Sequence, residues 1–533
     1  MADHQTIPRR ASMDLAPQAD FLALGEPAAG LPLQQWLHAA LLGAMQDGRL
    51  PTGSRLPPSR SLAQAHGISR STVTAVYERL LADGYLVGQV GRGTFVAPQR
   101  GGPEPTRNNG TVIKASLSQR GTAMAEAGAG LRGCTRLFQT FEPDQIDLGL
   151  MPVGIWQMLA GKRAQLHEAR LLQDGMPLLG YPPLRERLAE LLATTRGQRC
   201  DPGRIVIVGS VAKAIDLLGR LLLDPGDKAW VEDPGPPGAQ ALLATAGASL
   251  VHVPVDEQGL RVDEGLRLAP EARLAYVTAD VQMPLGHPLS AGRRAALLRW
   301  AVRAQACVIA EERDGDFIFG GAPSVPPSSS ADEDDWLIRI GNLSFNVSPG
   351  LKLAYMMLPE RLVDPMRALI GLTGAMASVF DQAVLHDFIA QGHWARHLRL
   401  AREIYGTRSA LLREQLDKHF GRWIEMPPQQ RGLSLVLKLR ADVPDTEVAA
   451  RAAQGGVIVA PLSPLSRQQH PQLNGLRLGF AAFSEASIRG GVEKLVAALD
   501  RRDRNAADSS TGPRRRQSDE LFGRGLPATK KYG

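Results

Sequence analysis

Hydrophobic and polar positions first alternate regularly in the segment LPLQQWLHAALLGAMQDG. Its apolar residues recur every three or four positions, as in an amphipathic helix that stops at Gly48; they are Leu33, Leu37, Ala40, Leu41 and Met45. Two shorter helical segments follow, SRSLAQAHG and SRSTVTAVYERLLADG, and we expect Ser59 and Ser69 to cap them. Helices joined by a tight turn at Gly67 form a helix-turn-helix pattern. The run YLVGQVGRGTFVA then predicts a two-stranded hairpin, the wing.

Beyond Pro202 the pattern changes, because short apolar runs alternate with helical stretches, as in RIVIVG, AIDLLGRLLL, KAWVE, GAQALLATAG, SLVHVPV and CVIAEE. This alternation predicts βαβ units, and hence an α/β fold with a mixed, mostly parallel sheet covered by helices on both faces. Ligands of such sheets bind beyond the carboxyl ends of the strands. The turns VGSVAK, EDPGPPG, TADVQMPLG and EERDGD are therefore the expected places of chemistry.

The composition of the 533 residues indicates two ordered domains that are joined and flanked by polar segments. We expect an N-terminal extension at 1–30, a winged helix at 31–98, a flexible linker rich in glycine and proline at 99–139, the α/β domain at 140–501 and a disordered basic tail at 502–533. With 44% hydrophobic and 22% charged residues, most of the chain is predicted to fold.

Charge and cysteine content narrow the class of protein. The formal net charge of +7 permits contact with nucleic acid. Cys134, Cys200 and Cys307 are far apart, which fits reduced thiols and predicts no metal site. No apolar run reaches about 18 residues, and the N-terminal segment lacks the apolar core of a signal peptide. We therefore expect a cytoplasmic protein without a membrane partner.

The second helix of the helix-turn-helix carries polar residues where such a helix meets base edges and phosphates. They fall at its N-terminal end and outer face, and they are Arg70, Ser71, Thr72 and Thr74. A solvated charged face on an ordinary three-helix domain is the alternative. The segment GRLPTGSRLPPSRSLAQAHGISRSTVTAVYERLLADGYLVGQVGRGTFVA resembles the winged helix of the GntR family of bacterial regulators along its whole length. The resemblance implies a repeated DNA operator read by two copies, with contacts from Arg60, Arg70, Ser71, Thr72 and the wing residues Gly91, Arg92 and Gly93.

The α/β domain carries a second resemblance. The segments YPPLRERLAELL, LLLDPGDKAWVEDPGPPGAQ, AYVTADVQMPLGHPLS, IAEERDGDFIF and IGNLSFNVSPGLKLAYMMLP together resemble the fold-type I aminotransferase module. A GntR-type winged helix in front of such a module is the architecture of the MocR subfamily. The resemblance implies a homodimer whose aminotransferase-like part senses pyridoxal 5′-phosphate (PLP) or an amino compound.

The resemblance also assigns the residues of a PLP site. The family has a Ser-Lys pair whose lysine forms the Schiff base, and GNLSFNVSPGLKLAY places Ser344 and Phe345 there. Because phenylalanine has no amine, we predict no covalent Schiff base and a degenerate site. Lys352, seven residues further on, falls where the family has a phosphate-binding arginine.

The remaining positions of the site follow from the same resemblance. Glu311 stands for the aspartate that pairs with the pyridine nitrogen, Arg313 for the tyrosine that bonds the ring hydroxyl, and Pro236 for the aromatic residue that stacks on the ring. A phosphate cup is expected at a helix start, formed by Ser210, Val211 and Ala212, with Lys213 beside it. Arg477 is the arginine that grips the carboxylate of a substrate or effector in this family.

These residues favour a DNA-binding transcription regulator over an enzyme. We expect its aminotransferase-like domain to bind a small carboxylate or amino-compound effector and to form the dimer. The alternatives are a working PLP-dependent aminotransferase with a DNA-binding appendage, a regulator that holds PLP noncovalently through Ser210–Ala212, Lys352 and Glu311, and a large domain that acts only as a dimerisation scaffold.

Overall fold

A computed structural model describes residues 24, 32–89, 92–97, 117–128, 139–165, 177–319, 334–421, 424–426, 430–440, 443–467 and 473–510. The expectations that fall on the N-terminal extension other than Leu24, on Gly91, on Cys134 and on 511–533 lie outside these residues. The chain forms two compact units, Met1–Ser116 and Leu117–Gly533.

The first unit is a winged helix-turn-helix. Its elements are α1 Leu33–Gln46, α2 Ser59–Ala65, α3 Arg70–Ala82, β1 Leu86–Gln89 and β2 Gly93–Val96. The strands β1 and β2 pair antiparallel from Leu86 opposite Val96 to Gln89 opposite Gly93. The apolar stripe predicted for α1 packs against α3, since Leu37, Leu41 and Val76 are completely buried.

The two predicted helix caps have different outcomes. Ser69 caps α3, because its Oγ accepts a hydrogen bond from the backbone nitrogen of Thr72 at 3.1 Å. The prediction for Ser59 is wrong, since Ser59 is the first residue of α2 and the preceding Pro58 occupies the cap position without a side-chain hydrogen bond. A proline there already directs the chain into the helix.

The second unit is built on a mixed, mostly parallel sheet, as the alternating pattern predicted. Among the described residues its eight strands follow the order β3-β11-β10-β8-β7-β4-β5-β6. These strands are β3 Ile205–Val208, β4 Lys228–Asp233, β5 Ser249–Asp256, β6 Gly259–Leu260, β7 Leu274–Thr278, β8 Cys307–Glu311, β10 Leu337–Asn342 and β11 Ala354–Met357. The run β5-β4-β7-β8-β10 is parallel, whereas β11 lies antiparallel to both β10 and β3.

Helices cover both faces of this sheet. Side chains of α7 Val211–Leu222, α8 Pro237–Ala246 and α11 Glu360–Thr373 share one hydrophobic cluster with Val206 and Ile309 of the sheet. The opposite face packs against α6 Pro182–Arg196, α9 Val262–Leu268, α10 Ala291–Ala304, α12 Val379–Ala390 and α13 His393–Phe420. Alternate side chains along each strand therefore enter different cores.

A smaller sheet follows α13. Its strands have the order β12-β14-β16-β15, and they are β12 Ile424–Glu425, β14 Ser434–Leu439, β15 Ala460–Pro461 and β16 Gly475–Gly479. Two helices accompany it, α14 Asp445–Gln454 and α15 Glu485–Ser510. A short ladder joins β9 Ile318–Phe319 to β13 Gln430–Arg431, so this sheet is tied to the end of β8.

Two helices extend into segments that we expected to lack structure. Within the predicted linker 99–139, residues Gln119–Gly128 form α4. The next helix, α5 Val153–Gln165, already belongs to the predicted α/β domain. The helix α15 continues past residue 501 to Ser510, since the polar sequence DRRDRNAAD contains no proline or glycine to stop it. No helix in the described ranges is both long and apolar enough to cross a membrane.

Candidate DNA interface and ligand pocket

The N-terminal turn of α3 is organised by hydroxyl groups. The Oγ of Ser69 lies 2.8 Å from the hydroxyls of both Ser71 and Thr72. Thr74 donates its hydroxyl hydrogen to the carbonyl of Arg70 at 2.9 Å. These bonds fix the first turn while the Arg70 side chain stays exposed.

Three predicted DNA-contacting arginines, Arg60, Arg70 and Arg92, are exposed. None of them forms an ion pair within the part of the chain that the structure describes. Thr74 lines a groove of about 290 Å³ together with Ser59 at the start of α2 and Gly93 of the wing. The structure thus brings α2, α3 and the wing around one groove.

Sequence reasoning missed Arg55 at this groove. A Cβ on Gly93, which has φ 109°, would lie 3.0 Å from the Nε of Arg55. Arg55 also forms an isolated antiparallel bridge with Phe95 of β2. The signal was the basic residue in GSRLPPSR, within the segment that resembles the GntR winged helix.

The predicted phosphate cup is the first turn of α7. The Oγ of Ser210 accepts a hydrogen bond from the backbone nitrogen of Lys213 at 3.0 Å. Val211 is half-buried and Ala212 is exposed. The Nζ of Lys213 lies 3.2 Å from Asp216, so a carboxylate on its own helix already matches its charge.

The backbone of Lys352 lies beside this turn. A Cβ on Gly209, directly before Ser210, would lie 3.8 Å from the carbonyl oxygen of Lys352. Lys352 has φ 52°, and its side chain is exposed. Pro236 directly precedes α8, the next helix along the chain, and is buried.

Glu232, which sequence reasoning did not single out, is buried close to the end of β4. Its carboxylate accepts hydrogen bonds from the backbone and the hydroxyl of Thr278, at 3.2 and 2.6 Å, and from Gln282 at 3.3 Å. Burial raises the pKa of Glu232 to about 8, although these hydrogen bonds act to lower it.

Glu311, the predicted partner of a pyridine nitrogen, is bonded within the chain. Its carboxylate accepts the phenol hydrogen of Tyr276, which is completely buried. Its other oxygen lies 3.7 Å from the guanidinium of Arg313. Burial, reinforced by the charge of Glu311, raises the pKa of Tyr276 well above its ordinary range, so Tyr276 remains a donor.

Arg313 and Arg477 meet at Asp144. Both guanidinium groups donate to the same carboxylate oxygen of Asp144, Oδ1, and the Arg313 Nη2 lies 2.5 Å from it. Burial acts to raise the pKa of Asp144, but the two positive charges outweigh burial and hold the pKa well below its usual range. The arginine predicted to grip an effector carboxylate therefore already binds one from this chain.

Ser344 and Phe345 follow β10. The hydroxyl of Ser344 is buried and donates to the carbonyl of Leu353 at 3.0 Å, which closes the turn to β11. The backbone nitrogen of Phe345 donates to the side chain of Asn342 at 3.0 Å. The ring of Phe345 is half-buried against the hydrophobic cluster that includes Trp394.

A cavity of about 330 Å³ lies between α6, α13 and the ends of β8 and β10. Three predicted site residues line it, Glu311, Arg313 and Phe345, together with Leu188 of α6 and Trp394 of α13. A smaller space of about 20 Å³ is lined by Arg313 and Arg477. The predicted site residues are thus divided between the start of α7, the Asp144 contact and this cavity.

The wall of the larger cavity holds a buried ionic network. Arg196 at the end of α6 lies 2.9 Å from Glu312, 3.0 Å from Asp316 and 3.4 Å from Asp280. Tyr355 donates to Glu312 at 3.1 Å. Burial, followed by the charge of Glu312, raises the pKa of Asp280 to about 6. Within the described residues, no group of three or more histidine, cysteine or acidic side chains is arranged to hold a metal ion.

Comparison with known families agrees with this two-unit architecture. Residues 33–96 match the bacterial regulatory proteins of the gntR family, and residues 156–495 match aminotransferase class I and II. An archaeal alanine:glyoxylate aminotransferase has the same fold as the large unit, with a TM-score of 0.64 and 23% identity over 72% of this chain and 98% of that one.

Similarity to proteins named as transcription regulators extends through both units. "Probable rhizopine catabolism regulatory protein MocR" of Rhizobium meliloti is 33% identical over 88% of this chain and 94% of its own length. The pyridoxine biosynthesis transcriptional regulator PdxR of Corynebacterium glutamicum is 27% identical over 85% of this chain and 92% of its own. A winged helix joined to an aminotransferase fold, with this similarity along both, places the chain in the MocR-type GntR family of DNA-binding transcription regulators.

Proposed function

We propose that the aminotransferase-like domain of this regulator holds no covalent PLP and serves as an effector-binding and dimerisation module. The observation that carries the proposal is the side chain at position 345. Fold-type I aminotransferases bind PLP through a lysine amine, whereas Phe345 offers only a phenyl ring packed against the core.

Two other side chains support this proposal. Pro236, buried before α8, offers no aromatic face for stacking on a ring. The guanidinium of Arg313 is bonded to Asp144 and lies near Glu311, so neither side chain is free of an internal partner. The residues present do not fit a covalently bound PLP.

The test is the absorbance spectrum of the full-length protein before and after PLP addition and gel filtration, followed by borohydride reduction and peptide mapping. We expect no Schiff-base absorbance and no reduced lysine adduct. Phe345→Lys is the matched variant, and it is expected to gain both signals because it restores an amine at that position. A lysine adduct in the wild-type protein would overturn the proposal.

Reversible PLP binding without a Schiff base is a separate outcome of this experiment. It would favour the alternative in which the start of α7 accepts a phosphate, since Lys352 lies beside that turn. Transamination that disappears on mutation of one lysine would instead favour the enzyme. Either result would replace the proposed effector role of the large unit.

We also propose that DNA is contacted by Arg60, Arg70, Ser71, Thr72, Thr74, Gly91 and Arg92. The exposed guanidinium groups of the described arginines support this assignment. A duplex selected from a randomised library supplies the operator, and fluorescence anisotropy measures its affinity for Arg92→Ala. Arg79→Ala at the other end of α3 is the control, and equal losses for the two variants would argue against the assignment.

Dimerisation through the large unit is the last part of the proposal. Leu148, Val153 and Met158 lie close in sequence, before and within α5, and are 49%, 52% and 57% exposed. Exposed apolar side chains that form one patch are typical of an interface, and we propose that these three belong to such a patch. Light scattering of the full-length protein is expected to give the mass of a dimer, and Met158→Glu is expected to shift that mass toward the monomer.

A further inference from the structure

The contact between Asp144, Arg313 and Arg477 differs from an ordinary surface ion pair. Arg477 lies in the middle of β16, opposite Val436 of β14 and Ala460 of β15, and is 6% exposed. A buried guanidinium without an anion is strongly destabilising. The two arginines therefore require a carboxylate at this point, whichever molecule supplies it.

The backbone around Asp144 is fitted to this contact. The amide of Gly479 donates to the carbonyl of Phe141 at 2.8 Å, and Phe141 is completely buried. A Cβ on Gly479 would lie only 2.3 Å from the carbonyl oxygen of Glu142, so only glycine lets the segment approach β16 this closely. Asp144 itself has φ 60°, a conformation that aspartate tolerates better than most residues.

We propose that Asp144 is a built-in competitor at the carboxylate site that the family resemblance implies for Arg477, and that Arg313 is a second ligand of this site. The side chain of Asp144 is an acetate group attached to the chain, so an incoming carboxylate replaces it one for one. The inference rests on the effector role proposed for the large unit, and it adds how access of the effector to its site is controlled.

Exchange is compatible with the exposure and charge of the three groups. The side chain of Asp144 is 39% exposed, whereas that of Arg477 is 8% exposed, so solvent reaches the carboxylate rather than the guanidinium. Exchange preserves the balance of charge because one carboxylate leaves as another arrives.

A tethered competitor lowers the apparent affinity for every carboxylate ligand. The chain holds Asp144 next to the arginines, which corresponds to a local concentration in the millimolar range or above. Wild-type protein is therefore expected to respond to a simple carboxylate such as acetate only at high concentration, and to ligands with contacts beyond the carboxylate at lower concentration. Removing the Asp144 side chain leaves an acetate-sized space between two guanidinium groups.

The test uses Asp144→Ala in the full-length protein with sodium acetate as the probe. Thermal unfolding is followed at rising acetate, with sodium chloride at matched ionic strength. We expect Asp144→Ala to be less stable than wild type and to regain stability with acetate, at a half-saturating concentration at least about tenfold lower than for wild type. Asp144→Asn keeps the shape without the charge and is expected to respond weakly.

Asp147→Ala is the matched control, because Asp147 lies in the same segment but pairs with Arg408 at 2.8 Å instead. It is expected to show no acetate rescue, and the double variant Asp144→Ala with Arg477→Ala is expected to lose the rescue. Equal acetate responses in Asp144→Ala and Asp147→Ala would overturn the site. A wild-type half-saturation equal to that of Asp144→Ala would overturn the competitor role.

These outcomes are independent of whether the large unit controls DNA binding. If acetate rescues Asp144→Ala but leaves operator affinity unchanged, the carboxylate site stands and the proposed effector role fails. If operator affinity responds to other ligands while acetate does not rescue, the effector role stands and this site fails.

Discussion

The arginines of the winged helix and the two arginines that contact Asp144 lie in opposite environments. Arg70 and Arg92 are exposed and have no ion pair among the described residues, whereas Arg313 and Arg477 are bonded to a carboxylate of the same chain. Water solvates an exposed guanidinium, so the fold is stable without an anion beside it. A buried guanidinium is desolvated and needs an anion within the fold. Removing an arginine is therefore expected to change binding in the first region and folding in the second.

The largest effect is expected from Arg196→Ala, because it removes the cation shared by the buried ionic network of the large unit. Arg196 lies 2.9 Å from Glu312, whose side chain is 4% exposed. Without Arg196, Glu312 keeps only Arg339, at 3.9 Å, as a nearby cation, and Asp280 and Asp316 lose a partner as well. The free energy of unfolding is therefore expected to fall by about 3–5 kcal/mol in urea denaturation. Arg187→Ala on the same helix removes an exposed pair with Glu190 and is expected to cost under about 1 kcal/mol. Equal losses of unfolding free energy in the two variants would contradict the expected difference between buried and exposed arginines.

The pH dependence of stability tests a second buried group of the large unit, Glu232. Burial raises the pKa of Glu232 from 4.5 to about 8, so the folded protein keeps a proton that the unfolded chain releases between these values. Stability is then expected to fall as pH rises through this window, on the order of 1.4 kcal/mol per pH unit from this group. Glu232→Gln is expected to flatten the slope, and exposed Glu190→Gln to preserve it. A slope unchanged in Glu232→Gln would contradict the assignment.

The exposed arginines of the winged helix are tested by Arg70→Ala. If Arg70 meets a base edge, operator affinity is expected to fall by about 1–3 kcal/mol with reduced sequence discrimination. If it meets only phosphate, the loss is uniform across sequences and the salt dependence becomes shallower. In both cases the unfolding midpoint is expected to stay at the wild-type value, because the side chain is exposed. Unchanged affinity would contradict the placement of the recognition helix.

The smallest effect is expected from Lys213→Ala. The Nζ of Lys213 pairs with Asp216 on the surface of α7, and its side chain is 44% exposed. Such a pair contributes up to about 0.5 kcal/mol. Urea denaturation is expected to show a change of that size, and acetate rescue in the Asp144→Ala background is expected to persist. Loss of the rescue would extend the carboxylate site to the start of α7.

The sequence predicted the winged helix and the sheet class well because their signals are local. The apolar period of α1, the cap at Ser69 and the hairpin were all visible within short segments. Order within the large sheet was not visible, since β11 enters between β3 and β10 in the opposite direction. Alternating strands and helices predict parallel units, but they carry no information about which strands are reversed, here β11 and the edge strand β6.

That Glu311, Arg313 and Arg477 form a ligand site stays a prediction, and their partners within the chain were not predicted. The resemblance assigned roles to these three residues, but it did not indicate that Tyr276 would bond the first or Asp144 the other two. These partners come from distant parts of the chain, and Asp144 sits in a segment without helical or strand periodicity. An internal ion pair of this kind is decided by tertiary packing, which a single sequence does not reveal.

The separation of Asp144 and Arg477 along the chain also sets the order in which the two regions mature. Arg477 follows Asp144 by 333 residues, whereas β2 of the winged helix ends at Val96. Domains fold from the N-terminal side while the ribosome is still adding residues. A nascent chain therefore carries a complete helix-turn-helix long before the carboxylate site can close, and its DNA-binding unit is made ahead of the part that would control it.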